Sequence, residues 1–180
     1  MSLPNHKLIE FSDIQSYRAI SQNVTQNRID PYIIEAQDLD FRGLVGKDFY
    51  NVLFEQVLPA TLPLTYKYAD LKPQYAAFIA YHAYARFLTQ NQITSTDHSI
   101  VRKTNDWSEP VSDANMTKAI NAARASAVEY GNRFIDYMND NVSSYPEWEN
   151  SPCWRGATSG NAKGVAKIGA VKGNRSQWQR

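Results

Sequence analysis

Hydrophobic residues recur at intervals of three and four positions through most of the first 140 residues. This spacing is typical of amphipathic helices, and it predicts four of them. The first two cover about residues 30–41 and 47–57, and the third starts after Lys72 and runs to about residue 91. The fourth begins at a cap near residue 112 or 113 and frays at residues 139–141. The third is apolar around more than half of its circumference, as expected for a central helix that is packed on both sides.

Capping residues and turn residues set the helix boundaries. Asp30 followed by Pro31 is typical of a helix start, although a start near Thr25 also keeps the proline close to the first turn. Ser112 or Asp113 caps the fourth helix. Leu39 or Asp40 extends the inner stripe of the first helix, which begins with Ile29, Ile33 and Ala36. Turn residues that end the first two helices are Gly43, Gly46, Pro59 and Pro63.

Residues 93–111 separate the third and fourth predicted helices and have a different composition. The stretch Ser99–Thr104 is rich in β-branched residues, which predicts an extended strand or one arm of a hairpin. A single short hairpin is only marginally stable by itself. We therefore expect this strand to pair with something outside the chain.

The charge of the chain is unevenly distributed. The net charge is +1, but residues 1–150 carry −5 and residues 151–180 carry +6 with no acid at all. Five of the eight glycines also lie after Asn150. Thirty such residues cannot build a core. We divide the chain into a helical body (residues 1–150) and a C-terminal arm (residues 151–180). With 43 % hydrophobic residues, the chain as a whole suits a packed domain.

Binding surfaces are predicted where tryptophan and arginine lie outside the predicted helices, because both are favoured anchors of protein interfaces. The alternative is that Trp148 and Trp154 fold back onto the helices. Predicted interface residues in the extended segment and the arm are Ile100, Val101, Arg102, Lys103, Thr104, Trp107, Trp154, Arg155, Lys163, Lys167, Lys172, Arg175, Trp178 and Arg180.

No motif in the sequence indicates catalysis. Gly43 to Lys47 resembles a phosphate-binding loop, but only two residues separate its glycines where the motif needs four. We interpret it as a turn between helices. His82 lies among aromatic residues and is interpreted as structural. Asp38 and Asp40 point to different faces of a helix, so we expect solvated charges.

The single cysteine adds no chemistry either. Cys153 has no histidine near it in sequence and lies beside a glycine-rich segment, whereas a nucleophilic thiol needs a rigid electropositive setting. We expect an inert surface or interface thiol, no enzyme activity, no cofactor and no metal site. No signal peptide or membrane-spanning segment is predicted.

The order of several short motifs resembles head–tail connector proteins of tailed bacteriophages, particularly those of phages that infect Bacteroidetes, including the crAss-like group. The resemblance covers about residues 8–150 and leaves out the arm. The motifs that carry it are Asn27–Asp40, Leu44–Tyr50, Ala83–Leu88, Val101–Asn105 with Ser108–Ser112, and Tyr145–Trp148.

The resemblance implies a structural protein of the virion, located at the head–tail junction and assembled in the cytoplasm of the bacterial host. It implies a small four-helix bundle that forms a ring, commonly of twelve copies, beneath the portal protein. Such a ring extends the DNA channel and docks the next neck or tail component. It also implies that residues 93–111 form a protruding extended element that contacts neighbouring subunits.

The charge distribution agrees with this expectation. A ring uses head-to-tail contacts between two different patches, and an extended arm adds contact area without a larger core. An acidic channel wall lets DNA slide, because a basic one would bind phosphates by releasing counterions. The alternative hypothesis is a nucleic-acid-binding phage protein that uses the basic arm.

Overall fold

Two long antiparallel helices organise the chain. They are α5, Lys72–Asn91, and α6, Asp113–Asp140. Tyr81 stacks on Tyr130 with ring centroids 5.4 Å apart, and Tyr75 meets Phe134 at 6.5 Å. The later residue of α5 therefore meets the earlier residue of α6, as expected for antiparallel helices. The computed structural model describes residues 7–20, 24–57, 68, 70–91, 93–95, 100–102 and 112–156.

Four shorter helices precede this pair and pack around it. A π-helical segment, Ala36–Phe41, joins the second of them to the third. The four are α1, Phe11–Tyr17; α2, Gln26–Glu35; α3, Arg42–Val45; and α4, Lys47–Val57. The prediction of a mainly α chain is confirmed. The prolines expected to end α4 lie outside the described residues.

For the first predicted helix, the alternative start near Thr25 is confirmed and the start at Asp30 is wrong, and the second half of the helix differs from the structure. It begins after Thr25, whose extended backbone marks the N-cap, so Pro31 falls inside the helix rather than in its first turn. The π-helical segment then replaces regular α-helix. Its wider turn brings Gln37 inside, where Oε1 accepts a hydrogen bond from the Leu8 backbone N–H at 2.9 Å. A three-and-four spacing does not reveal such a turn.

The long helices begin and end close to the predicted residues. Pro73 is the second residue of α5, where a missing N–H costs nothing. Ser112 is the N-cap of α6, and its side chain accepts from the backbone N–H of Asn115 at 3.4 Å. Asn141 is the C-cap. Local capping chemistry therefore sets both ends of α6.

The core centres on aromatic residues around α5. Six consecutive residues, Tyr75–Ala80, are all buried, which confirms that this helix is central. The ring of Phe41 lies 5.3 Å from that of Tyr75 and 5.5 Å from that of Phe134. Trp148 is completely buried, with its ring edge-to-face against Phe49 and Phe134.

The connection between α5 and α6 contains two short strands. β1, Ile93–Ser95, pairs antiparallel with β2, Ile100–Arg102, and the register places Thr94 opposite Val101. We expected a partner outside the chain for this strand; one of its edges is instead taken by β1.

Two 3₁₀ turns, Val142–Ser144 and Pro146–Asn150, follow α6 and turn the chain back onto the body. The next six residues also pack there: Ser151 is buried, and Trp154 packs against the core. The body therefore extends to Gly156, past the boundary predicted at Asn150. This moves Arg155 into the body, whose charge becomes −4, and leaves +5 on residues 157–180.

Candidate functional site

The β1–β2 hairpin is the first candidate surface. It contains three predicted interface residues, Ile100, Val101 and Arg102, all in β2. Among the described residues the sheet has only these two strands, so one edge of each strand has no strand partner. An unpaired edge presents backbone donors and acceptors to another chain. Lys103, Thr104 and Trp107 lie outside the described residues.

Two other predicted interface residues make internal contacts. The Arg155 guanidinium lies 2.6 Å from Asp136 Oδ1, and its backbone N–H donates to Asn139 Oδ1 at 2.9 Å. Trp154 packs against the rim of the core. The alternative interpretation, that the tryptophans fold back onto the helices, is confirmed for Trp148 and Trp154.

The remaining predicted interface residues belong to the part of the arm that follows Gly156. All of them lie outside the described residues, so their role as contact residues stays a prediction. They are Lys163, Lys167, Lys172, Arg175, Trp178 and Arg180.

Asn139 fixes the path of the chain beyond the 3₁₀ turns. Its Nδ2 donates to the carbonyl oxygens of Ile135, at 2.7 Å, and Cys153, at 3.2 Å. Its Oδ1 accepts from Trp148 Nε1 at 3.4 Å, as well as from the Arg155 backbone. One amide therefore connects α6 to three positions beyond the helix, Trp148, Cys153 and Arg155, which explains why residues 151–156 belong to the body.

A groove of about 390 Å³ lies where the π-helical segment, α5, α6 and residues 152–153 meet. The sequence pattern did not predict this groove. Leu39 at its rim is 63 % exposed, unlike the other large hydrophobic side chains described. The residues that line the groove are Leu39, Asp40, Gly43, Leu44, Phe78, His82, Val128, Pro152 and Cys153.

The polar side of this groove is a network centred on Asp40. Arg86 donates to Asp40 Oδ2 from Nε at 3.1 Å and from Nη2 at 2.8 Å, and its Nη1 lies 3.4 Å from Glu35. His82 Nδ1 lies 3.5 Å from the same Asp40 oxygen. The expectation that Asp40 is a solvated charge is therefore wrong, because the π turn directs it toward α5.

Asp38, the second carboxylate expected to be solvated, also has a partner. The hydroxyl of Tyr50 donates to Asp38 Oδ1 at 2.5 Å. The two aspartates therefore fasten the π-helical segment to two different helices, since Tyr50 lies in α4 and Arg86 in α5. Neither contact could be predicted from the sequence, because the paired residues are 12 and 46 positions apart.

Burial lowers the pKa of His82 below its ordinary value. The Asp40 carboxylate opposes this shift, while Arg86 and Arg124 add to it. His82 is therefore held neutral beside an ion pair that is already complete. This agrees with a structural histidine, as the sequence indicated.

Cys153 lines the same groove as His82, although the two are far apart in sequence. Its Sγ lies 3.3 Å from the Leu44 carbonyl oxygen and donates to it. Burial raises the pKa of the Cys153 thiol, and Arg155 opposes this only in part. A reactive cysteine needs the opposite shift. The geometry is that of a packed thiol.

A second polar surface crosses α1, α5 and α6. The Arg18 guanidinium lies 4.8 Å from the ring centre of Tyr81 and 5.8 Å from that of Tyr84. Tyr17 contacts Tyr81 at 6.2 Å and Tyr130 at 6.3 Å. These cation–π and ring contacts attach α1 to the long helices.

Within the described ranges, no three His, Cys, Asp or Glu side chains are grouped so as to hold a metal ion. None of the helices described is both long and apolar enough to cross a bilayer.

Comparison with family models gives a match over residues 41–158 to a family of unknown function, DUF6712. The chain belongs to this family. The DUF6712 match starts at the end of the π-helical segment and ends two residues after Gly156, so it includes the groove residues of α3, α5 and α6 and the segment that Asn139 holds. No curated protein and no solved structure matches the chain.

Proposed function

We propose that this DUF6712 protein is a structural head–tail connector subunit of a tailed bacteriophage. Copies form a ring, of twelve subunits by the resemblance, between the portal protein and the next neck or tail component. Each subunit is a small, mainly α-helical domain, with six α-helices among the described residues rather than the four expected, and the element between α5 and α6 protrudes from it. The ring surrounds the DNA channel at the virion neck.

The observation that carries this proposal is the edge of the β1–β2 hairpin that has no strand partner among the described residues. The hairpin follows α5, one of the two long antiparallel helices. From His82 in the groove to the end of α5 is nine residues, or about 14 Å at the rise of an α-helix. The hairpin edge and the groove are thus separate surfaces, and a head-to-tail ring needs two different ones.

Charge supplies a second argument. The body carries −4 up to Gly156, and an acidic wall weakly repels the phosphates of a passing genome. We propose that the basic residues after Gly156 bind an acidic partner protein, either the portal or the adjacent ring. Repetition around a ring strengthens such contacts by avidity.

Two proline variants test the role of the hairpin. Successive backbone N–H groups in a strand point to opposite edges, so one of V101P and R102P removes a donor from the free edge and the other breaks the hairpin itself. The free-edge variant should keep the melting temperature of the parent chain and lose assembly on purified portal, measured by mass photometry. A parent chain that neither binds portal nor occurs in purified virions would exclude the connector function.

The charge of residues 157–180 favours a second candidate, a nucleic-acid-binding protein. These residues carry +5 without an acid. About five phosphate contacts predict a log–log salt dependence of DNA affinity with a slope of about −3 to −5. Deletion of residues 157–180 should then abolish binding. Absence of DNA binding by the full chain at low salt would exclude this candidate and leave the connector proposal intact.

A further inference from the structure

The groove beside Leu39 has an apolar wall and is lined in part by Pro152 and Cys153, close to the last described residue, Gly156. Its apolar residues include Leu44, Phe78 and Val128, and its volume is in the range of pockets that enclose small ligands or a few side chains. We propose that residues 164–172 of the same chain bind in this groove in the free subunit.

The path of the chain supports an intramolecular occupant. Pro152 and Cys153 form part of the groove, and Gly156 has φ +75°, a conformation that glycine adopts readily. Twenty-four residues follow Gly156, with a reach of up to about 80 Å when extended. A short tether gives a local concentration in the millimolar range, far above that of a second copy in dilute solution.

The chemistry of the segment also matches the groove. Its large aliphatic residues are Val165, Ile168 and Val171, spaced by three, so that a helical or polyproline-type segment presents them on one side. Lys167 and Lys172 lie next to Ile168 and Val171, and the carboxylates of Asp40 and Glu35 share the single guanidinium of Arg86, which leaves one net negative charge. Apolar residues flanked by cations fit an apolar groove bordered by this net negative network.

Nucleic acid fits this groove less well. Phosphate groups would meet Asp40, and the apolar wall offers them no donor.

Self-docking goes beyond the connector function because it concerns the subunit before assembly. It covers Leu39 and keeps the basic segment from binding prematurely. Its failure would leave the connector proposal untouched, since that proposal is tested by portal binding.

The native cysteine provides the test. Cys153 is the only cysteine of the chain, and a disulfide forms only when the two Cα atoms come within about 7 Å. The full-length I168C variant is oxidised with diamide, which accepts the two electrons and two protons of the thiols. We expect an intramolecular disulfide, detected by loss of both thiols, faster monomer migration without reductant, and a linked peptide in mass spectrometry.

Two controls make the outcome decisive. Q177C places a thiol outside the proposed segment and should form the disulfide about tenfold more slowly, because it samples the groove only through its tether. I168C combined with L39K, at an exposed position that should still fold, should slow the reaction similarly. Equal rates for I168C and Q177C would overturn the proposal. Predominant covalent dimers would overturn it in favour of docking between copies.

Discussion

Gly46 lies so close to Pro152 that a Cβ atom added to the glycine would stand 2.6 Å from Pro152 Cδ. The glycine forms the turn between α3 and α4 with φ +84°, while the proline follows the second 3₁₀ turn. This approach holds the segment after Asn150 against the start of α4. It therefore builds one wall of the groove.

Substitution of Gly46 should destabilise the fold strongly. G46A combines a backbone conformation that costs alanine about 1 kcal/mol with a steric clash that costs about 1–3 kcal/mol. We expect a loss of about 2–4 kcal/mol in the free energy of unfolding, measured by urea denaturation.

G43A is the matched control for this substitution. Gly43 lies inside α3, and nothing approaches its added Cβ within 4 Å. Alanine there should stabilise the helix by up to about 1 kcal/mol. Equal stabilities of G46A and G43A would show that the contact with Pro152 does not constrain the turn.

Trp148 should contribute far more to stability than Trp154. The first is fully buried between two aromatic rings and the second only packs against the rim of the core. W148A should lose about 3–5 kcal/mol of unfolding free energy, and W154A clearly less. If denaturant melts of the two variants coincide, the 3₁₀ turns are not packed as described.

Stability should fall as the pH drops below about 6.5, the ordinary pKa of histidine. Because burial lowers the pKa of His82, the unfolded chain binds a proton in a pH range where the folded chain does not. Protons therefore favour unfolding between the unfolded and folded pKa values, and the stabilisation returns as the pH rises. H82N should remove this part of the pH dependence in thermal melts recorded from pH 5 to 8. If the slope of stability against pH is the same in H82N as in the parent chain, groups other than His82 cause this pH dependence.

Removal of the Arg86 charge should raise the pKa of His82. Arg86 lowers this pKa and Asp40 raises it, so R86Q leaves the carboxylate unopposed at close range. The pKa is measured by NMR titration of the imidazole protons. R124Q is the control. Arg124 is exposed on α6 and lowers the pKa of His82 less than Arg86 does, so the shift should have the same sign and be smaller. A lower pKa in R86Q would contradict the geometry.

Sequence reasoning located the elements whose boundaries depend on local chemistry. Pro73 and Ser112 mark where α5 and α6 begin, and each acts within its own first turn. The Asp40 network was not predictable in this way, because Asp40 and Arg86 are 46 positions apart and meet only through a π turn. Residues 151–156 were assigned to the arm by composition, whereas the amide of Asn139 attaches them to the body.

The cation–π contact of Arg18 should hold α1 on the long helices. The guanidinium lies 4.8 Å from the Tyr81 ring centre, a contact worth about 0.5–2 kcal/mol. R18A should therefore increase hydrogen exchange of the α1 amides by about twofold or more, since 1.4 kcal/mol corresponds to tenfold. R124A, which removes an exposed arginine of α6, should leave α1 protection unchanged. Arg18 follows the last residue of α1, so its loss acts on the docking of α1 rather than on formation of the helix. A uniform loss of amide protection throughout the chain would contradict this role.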